Sequence, residues 1–376
     1  MQRRPNTAEF ANLAASAEAW RRGDVDDVIR LTTEAIELGH LSIEDIAIAY
    51  YQRGLAYSKK NLCEQAMEDL NEAIRLNPKF ARAYYHRGYV LRRTDQDDQA
   101  IEDYNRAIRL DPEFVPAYIN RGVLHVDKGL YYHALQDFHQ AIRLDPTDAR
   151  TYSDRGCAFF GNGHYNRALE DFNEALRLDP TYAVAHLHRG HVYCVTESFD
   201  QAIEEYSQAI ALDPRSALAY RNRGDVYFYQ GRFSEAESDY DTYLRLRPED
   251  AAVMILLHLA HVRSGKHGIA GLARRAKRIA LNKWPGAAVA MFLGDATPDE
   301  AILQAIHDEE TVNNGGEHLA FFYAGQYHLL QGRTDRAVGM FRQALIYGLK
   351  NCFEHTFAEA ELKRLGVTVL IPPERR

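Results

Sequence analysis

Residues 81–114 read ARAYYHRGYVLRRTDQDDQAIEDYNRAIRLDPEF, and this stretch decides the fold. Its Arg87-Gly88 pair recurs at Arg53-Gly54, Arg121-Gly122, Arg155-Gly156, Arg189-Gly190 and Arg223-Gly224, always 34 residues apart. A proline keeps step at Pro78, Pro112, Pro146, Pro180, Pro214 and Pro248. A fixed period of this length means an array of stacked units, each packing on its neighbours.

Six units run 47–80, 81–114, 115–148, 149–182, 183–216 and 217–250 without insertion. Each carries Gly at its eighth position, in a first helix, and Ala at its twentieth, in a second: Ala66, Ala100, Ala134, Ala168, Ala202 and Ala236. Small residues there let two helices approach closely. The large residue at the twenty-fourth position (Leu70, Tyr104, Phe138, Phe172, Tyr206, Tyr240) fills the space beside them. Proline ends each second helix, since it lacks an amide donor and pushes its predecessor out of the helical region. The sixth unit departs from the others, with Tyr243 for the second alanine and Arg247 before its proline, and is expected to end the regular stack.

The flanks are worn copies. Residues 1–46 read as two helices divided at Gly23-Asp24, and Ser42 with Asp45 resembles a capping box for the next helix. Within 251–376, Met254, Leu257 and Ala270 fit a seventh unit, and Thr297-Pro298-Asp299-Glu300 starts a helix. Phe321, Gly325, Gly332, Ala337, Phe341 and Ala344 fit a further unit, and a helix from about Phe353 to Leu365 is expected to cap the last apolar face. Gly161-Asn162-Gly163 and Asn314-Gly315-Gly316 read as turns.

The seventh position of every regular unit is Arg and the twenty-third is acidic: Asp69, Asp103, Asp137, Asp171, Glu205 and Asp239. The worn units lose both together, as Ala15/Leu31, Leu257/Ala273 and Ala324/Met340, which is what a physical pairing predicts. A ladder of partly buried Arg–carboxylate bridges is expected rather than a ligand site.

Composition bounds the function. Hydrophobic residues make up 46% of the 376 and charged residues 26%, enough apolar surface for one continuous array. The net charge of -8 is spread along the chain, which argues against a nucleic-acid partner. Cys63, Cys157, Cys194 and Cys352 stand too far apart for a Cys-x-x-Cys site and read as free thiols in a reducing compartment. Met1-Gln2-Arg3-Arg4-Pro5-Asn6 opens no signal peptide, and no 18-residue apolar run follows. The expected location is cytoplasmic, or periplasmic where a signal has been removed, with no membrane insertion.

The 34-residue pattern of aromatic, Gly, Tyr, Ala, aromatic, Ala and Pro resembles the tetratricopeptide repeat (TPR) family. The resemblance implies an all-α solenoid, a right-handed superhelix of antiparallel helix pairs with degenerate ends, and no catalysis. It also implies a concave groove lined by positions 2, 5, 6, 9 and 12 of the first helices. Position 6 carries Gln52, His86, Asn120, Asp154, His188 and Asn222, all able to hydrogen-bond a peptide backbone. Tyr51, Tyr85, Tyr89, Phe160, Phe228 and Tyr229 stand around them, and His191, Arg221 and Asp225 complete the candidate partner-binding set. The Lys/Asn carboxylate clamp of chaperone-binding members is missing, so an internal or extended peptide segment is the expected ligand.

The tail is similar to NlpI-like bacterial TPR lipoproteins, through Trp284-Pro285, Phe292-Leu293-Gly294, Phe321-Phe322-Tyr323-Ala324-Gly325-Gln326-Tyr327 and Asn351-Cys352-Phe353-Glu354-His355 with Ala358. That resemblance implies an adaptor presenting an enzyme to a protease, and contact with a second copy of the chain through the C-terminal region. His186, His188, His191 and Cys194, with His258/His261, invite a metal but read better as packing and surface groups. Arg274, Arg275, Lys277 and Arg278 form the one dense basic run, read as a solvated helix face. No phosphate loop, nucleophile elbow or cofactor motif is present, so no cofactor is expected. The expected function is a protein-interaction adaptor holding a partner protein or peptide. A buttressing regulatory subunit and a self-associating scaffold are the alternatives.

Overall fold

A computed structural model describes residues 8–39, 41–308, 317–347 and 353–368. The expectations for Met1–Asn6, Asn314-Gly315-Gly316, Asn351 and Cys352 lie outside them. The described residues hold twenty-one helices and no strand. The chain divides into two compact units, Met1–Pro180 and Thr181–Arg376.

The first unit contains five helix pairs: α1 (Ala8–Arg22) with α2 (Val25–Leu38), α3 (Ile43–Lys59) with α4 (Cys63–Leu76), α5 (Ala81–Arg93) with α6 (Asp97–Leu110), α7 (Val115–Asp127) with α8 (Tyr131–Leu144), and α9 (Ala149–Gly161) with α10 (Tyr165–Leu178). The glycine at position eight is a steric requirement. A Cβ on Gly88 would stand 2.8 Å from Tyr104 Cε1, and one on Gly156 2.7 Å from the Phe172 ring. The second helices α4, α6 and α8 close on an Asx turn around their proline, with Asn77 Oδ1 accepting from Lys79 N at 3.0 Å, Asp111 Oδ1 from Glu113 N at 3.2 Å and Asp145 Oδ1 from Thr147 N at 3.0 Å.

The expected charge ladder is present, and it reaches further than the sequence suggested. Arg53 grips Asp69 through two bonds of 2.8 Å, Arg87 grips Asp103 through two of 2.7 Å, and Arg155 grips Asp171 at 2.8 and 2.7 Å. Arg121 binds Asp137 in the same fork, and His125 Nδ1 stands 3.1 Å from that carboxylate. The remaining guanidinium nitrogen donates to the preceding pair: Arg53 Nη1 to Thr33 Oγ1 at 3.0 Å, Arg87 Nη1 to Asn71 Oδ1 at 2.8 Å, and Arg121 Nη1 to Asn105. One arginine therefore ties its own two helices together and ties the pair to its neighbour. The polar residues at position 25 carry that link, and they were legible in the repeat.

The second unit continues with α11 (Ala183–Val195), α12 (Phe199–Leu212), α13 (Ala217–Tyr229), α14 (Phe233–Leu246) and α15 (Ala251–Arg263). Arg223 grips Asp239 through two bonds of 2.8 Å and Ser207 Oγ at 2.9 Å, while Arg189 and His186 share Glu205 at 2.7 and 2.8 Å. The departures of the sixth unit do not interrupt helix pairing. Tyr243 places its hydroxyl 2.7 Å from Asp250 Oδ2, and Asp250 caps α15 through Val253 N at 3.0 Å.

Beyond α15 the pairs shorten to α16 (Ala270–Ala276), α17 (Gly286–Leu293) and α18 (Pro298–His307), the last opened by a full Thr297–Glu300 capping box. Then α19 (Glu317–Leu330) and α20 (Thr334–Tyr347) restore a regular pair, with a Cβ on Gly325 only 2.5 Å from Phe341 Cε1. The final helix, α21 (Phe353–Arg364), packs on α19 and α20 and also on α13. It covers the last pair, as expected, and its reach to α13 comes in addition, through the partners that Phe357 and Arg364 find there.

Candidate protein-interaction site

In the first unit the candidate residues lie along the first helices, and Tyr51, His86, Tyr85 and Asn120 touch one another in sequence as a track. Tyr51 packs 4.7 Å from Phe80 and 5.5 Å from His86; His86 lies 4.8 Å from Tyr85, and Tyr85 meets Phe114 edge-on at 5.1 Å. Asn120 Nδ2 donates to the Tyr85 hydroxyl at 3.0 Å, and Ser16 Oγ donates to Gln52 Oε1 at 2.6 Å. Gln52, Tyr85 and Asn120 of the candidate set thus already hold hydrogen-bond partners within the fold. Tyr89 is 42% exposed beneath the Arg93 guanidinium, and Phe160 is half-buried against Tyr165.

The electrostatics of the track are shaped by burial. Burial, aided by the Arg82 charge, lowers His86 to about 4, so its imidazole is neutral at ordinary pH. Burial raises Asp154 to about 6, Asp148 adds to this, and Arg150 and Arg92 oppose it. Arg82 and Arg150 are exposed, act on the track by charge, and have no side-chain partner among the described residues. They occupy position 2, one of the lining positions the family resemblance implied, so the signal that would have singled them out was present.

The second unit treats the same positions differently. Asn222 Nδ2 donates to His191 Nε2 at 2.5 Å, and His188 and His191 are both lowered to about 4 by burial. Asp225 is buried and accepts from the Tyr240 hydroxyl at 2.7 Å, with Arg221 Nε 3.8 Å away. Phe228 is wholly buried, 5.4 Å from Phe357 and 5.3 Å from Phe233. Asn222, Asp225 and Phe228 are therefore core residues rather than an open lining. The helix α21 covers Phe228: Phe357 packs on its ring, and Arg364 Nη2 donates to the carbonyls of Phe228, at 3.1 Å, and Tyr229. Glu361, 1% exposed, is held by Arg263 at 3.2 Å and Arg364 at 2.5 Å.

Cys63, Cys157 and Cys194 are free thiols. Among the described residues no group of three or more His, Cys, Asp or Glu converges as metal ligands would. No described helix is long and apolar enough to cross a membrane.

Models of the tetratricopeptide repeat match residues 81–114, 115–148, 149–182 and 217–250, and a TPR repeat model matches 54–95 and 196–231. Among solved structures, a tetratricopeptide repeat protein from Parabacteroides merdae is similar at 17% identity and a TM-score of 0.55, over 67% of this chain and 98% of that one. The pilF protein of Pseudomonas aeruginosa is similar at 21% identity and a TM-score of 0.50, over 59% of this chain and 99% of that one. MamA is 29% identical over 43% of this chain and 94% of its own, at a TM-score of 0.38. The matches of the repeat models end at residue 250; beyond it, Phe292, Phe322, Tyr323 and Ala358 of the tail motifs are buried packing residues. With period, packing rule and fold in agreement, the chain belongs to the tetratricopeptide repeat family, an all-α solenoid of the class that serves as protein-interaction scaffold.

Proposed function

We propose that the protein is a non-catalytic adaptor whose first unit holds an extended, carboxylate-bearing partner segment along the track from Tyr51 through His86 and Tyr85 to Asp154. The observation that carries this reading is the pair of exposed guanidiniums at Arg82 and Arg150, which flank an aromatic surface and have no side-chain partner of their own. Arginine presents a planar fork suited to carboxylates, and Tyr89 offers broad surface at low entropic cost. The neutral imidazole of His86 can donate or accept without opposing an acidic ligand.

A displayed library of random peptides, panned against the intact chain, tests this. Sequences combining acids with apolar residues should be enriched, and Arg82→Gln/Arg150→Gln should abolish the enrichment without changing helicity by circular dichroism. An enriched set that the double variant leaves unchanged would sink the reading. Sedimentation at two protein concentrations separates it from self-assembly, which would proceed with no peptide present.

A further inference from the structure

The seventh unit carries an observation that the repeat pattern makes pointed. In regular units glycine at position eight sits under the large residue at position twenty-four, as Gly224 does under Tyr240, where an added Cβ would lie 2.9 Å from the ring. Counting from Ala251, those two positions are His258 and Arg274. Neither side chain can repeat the packing, because a ring replaces the hydrogen that allowed close approach and a cation replaces the apolar plug. The second helix of this unit, α16, has only seven residues, and a cleft of about 570 Å³ opens between α14, α15 and α16. Met254, Leu257 and Leu272 line it with apolar surface, and His258, Lys266 and Arg274 line it with polar groups. A volume of this size suits a small organic molecule.

The charges in the cleft do not cancel evenly. Glu237 is engaged by His261 at 2.9 Å, Ser264 at 3.2 Å and Lys266 at 2.7 Å. Asp241 stands at position 25, the place from which Asn71, Asn105 and Ser207 meet the next arginine of the ladder; that arginine is replaced by Leu257, and Arg275 takes over at 2.5 Å. Both carboxylates are therefore occupied by groups of the cleft itself. Arg274 remains exposed with no side-chain partner among the described residues, and Lys266 and Arg275 each hold further N–H groups beyond the one bonded. We propose that this cleft binds a small organic oxyanion, a phosphate monoester or carboxylate attached to an apolar group, with Arg274 as its principal anchor. The apolar group lies against Leu257 and Leu272 while the oxyanion meets the guanidinium. This site is independent of the track in the first unit.

Calorimetric titration of the intact chain with phenyl phosphate, benzoate and phenol tests the proposal. Phenyl phosphate or benzoate should bind at millimolar concentration and shift the ring resonances of His258, while phenol should bind at least about tenfold more weakly, since it lacks the charge-assisted bonds. Arg274→Gln should weaken anion binding about tenfold with an unchanged melting temperature, because the side chain is exposed. The double substitution His258→Gly/Arg274→Phe, which restores the regular packing pair, should raise the melting temperature and remove binding. Phenol binding as well as the anions, no anion binding, or Arg274→Gln binding as the parent does would each overturn it. Arg82→Gln/Arg150→Gln should leave the titration unaltered, so the two sites fail or stand separately.

Discussion

Phe160 and Phe228 occupy the same position in their repeats, yet they have opposite fates. In the first unit Phe160 is half-buried beside a track that keeps Tyr89 and two arginines exposed. In the second, Phe228 lies at 0% exposure beneath Phe357, and its neighbours Asn222 and Asp225 are buried with it. The repeat dictates which face a residue points from. Whether that face is a surface depends on what folds over it, and α21 folds over Phe228.

The largest expected effect comes from uncovering that end. Phe357→Ala removes a ring packed between Phe228 and Phe322 and should cost about 3–5 kcal/mol. Hydrogen exchange should accelerate in α13 and stay unchanged in α5; equal acceleration in both would break the contrast between the units. Next is the ladder of the first unit. Arg121→Leu strands Asp137, whose side chain is 5% exposed, and should cost about 3 kcal/mol by thermal melting, with His125 recovering part of it. A melting curve identical to that of the parent would mean the ladder does not stabilise the stack.

A smaller effect concerns Asp154. Its acid is raised to about 6, so the folded chain holds the proton more tightly than the unfolded chain, and stability falls as pH rises from about 4 to about 6. Asp154→Asn should therefore stabilise the protein against urea at about pH 7.5 and change little at about pH 4. A gain of equal size at both pH values would remove the burial argument. The smallest effect lies in a turn. Glu197 adopts φ 57° at a position where the first unit uses Asn61, Asp95, Gly129 and Gly163, so Glu197→Gly should stabilise by about 0.5–1 kcal/mol in denaturant titration. No gain would mean that this turn carries no strain.

Much of the fold was legible because its partners lie within one helical hairpin or the next. Gly88 meets Tyr104 and Arg87 meets Asp103 at a separation of 16 residues, and a period of 34 displays such pairs six times over. The joint loss of Arg and acid in the worn units marks the pairing in the sequence itself. The candidate site was less legible. The repeat shows which residues stand at position 6, but not that Asn120 donates to Tyr85, or Asn222 to His191, since which polar groups satisfy one another depends on rotamers and on the curvature of neighbouring helices.

From its sequence alone this chain could be assigned its helix pairs, their close-packed glycines, its charge ladder and its family, because each rests on short separations repeated in register. The contact of Arg364 with the Phe228 carbonyl spans 136 residues and occurs once, as does the burial of Glu361 between two arginines. The cleft at His258 and Arg274 likewise exists because a shortened helix no longer fills its place. Such features have no period to reveal them. They arise when separately specified segments meet, and the meeting selects which of the repeated positions remain open to a partner.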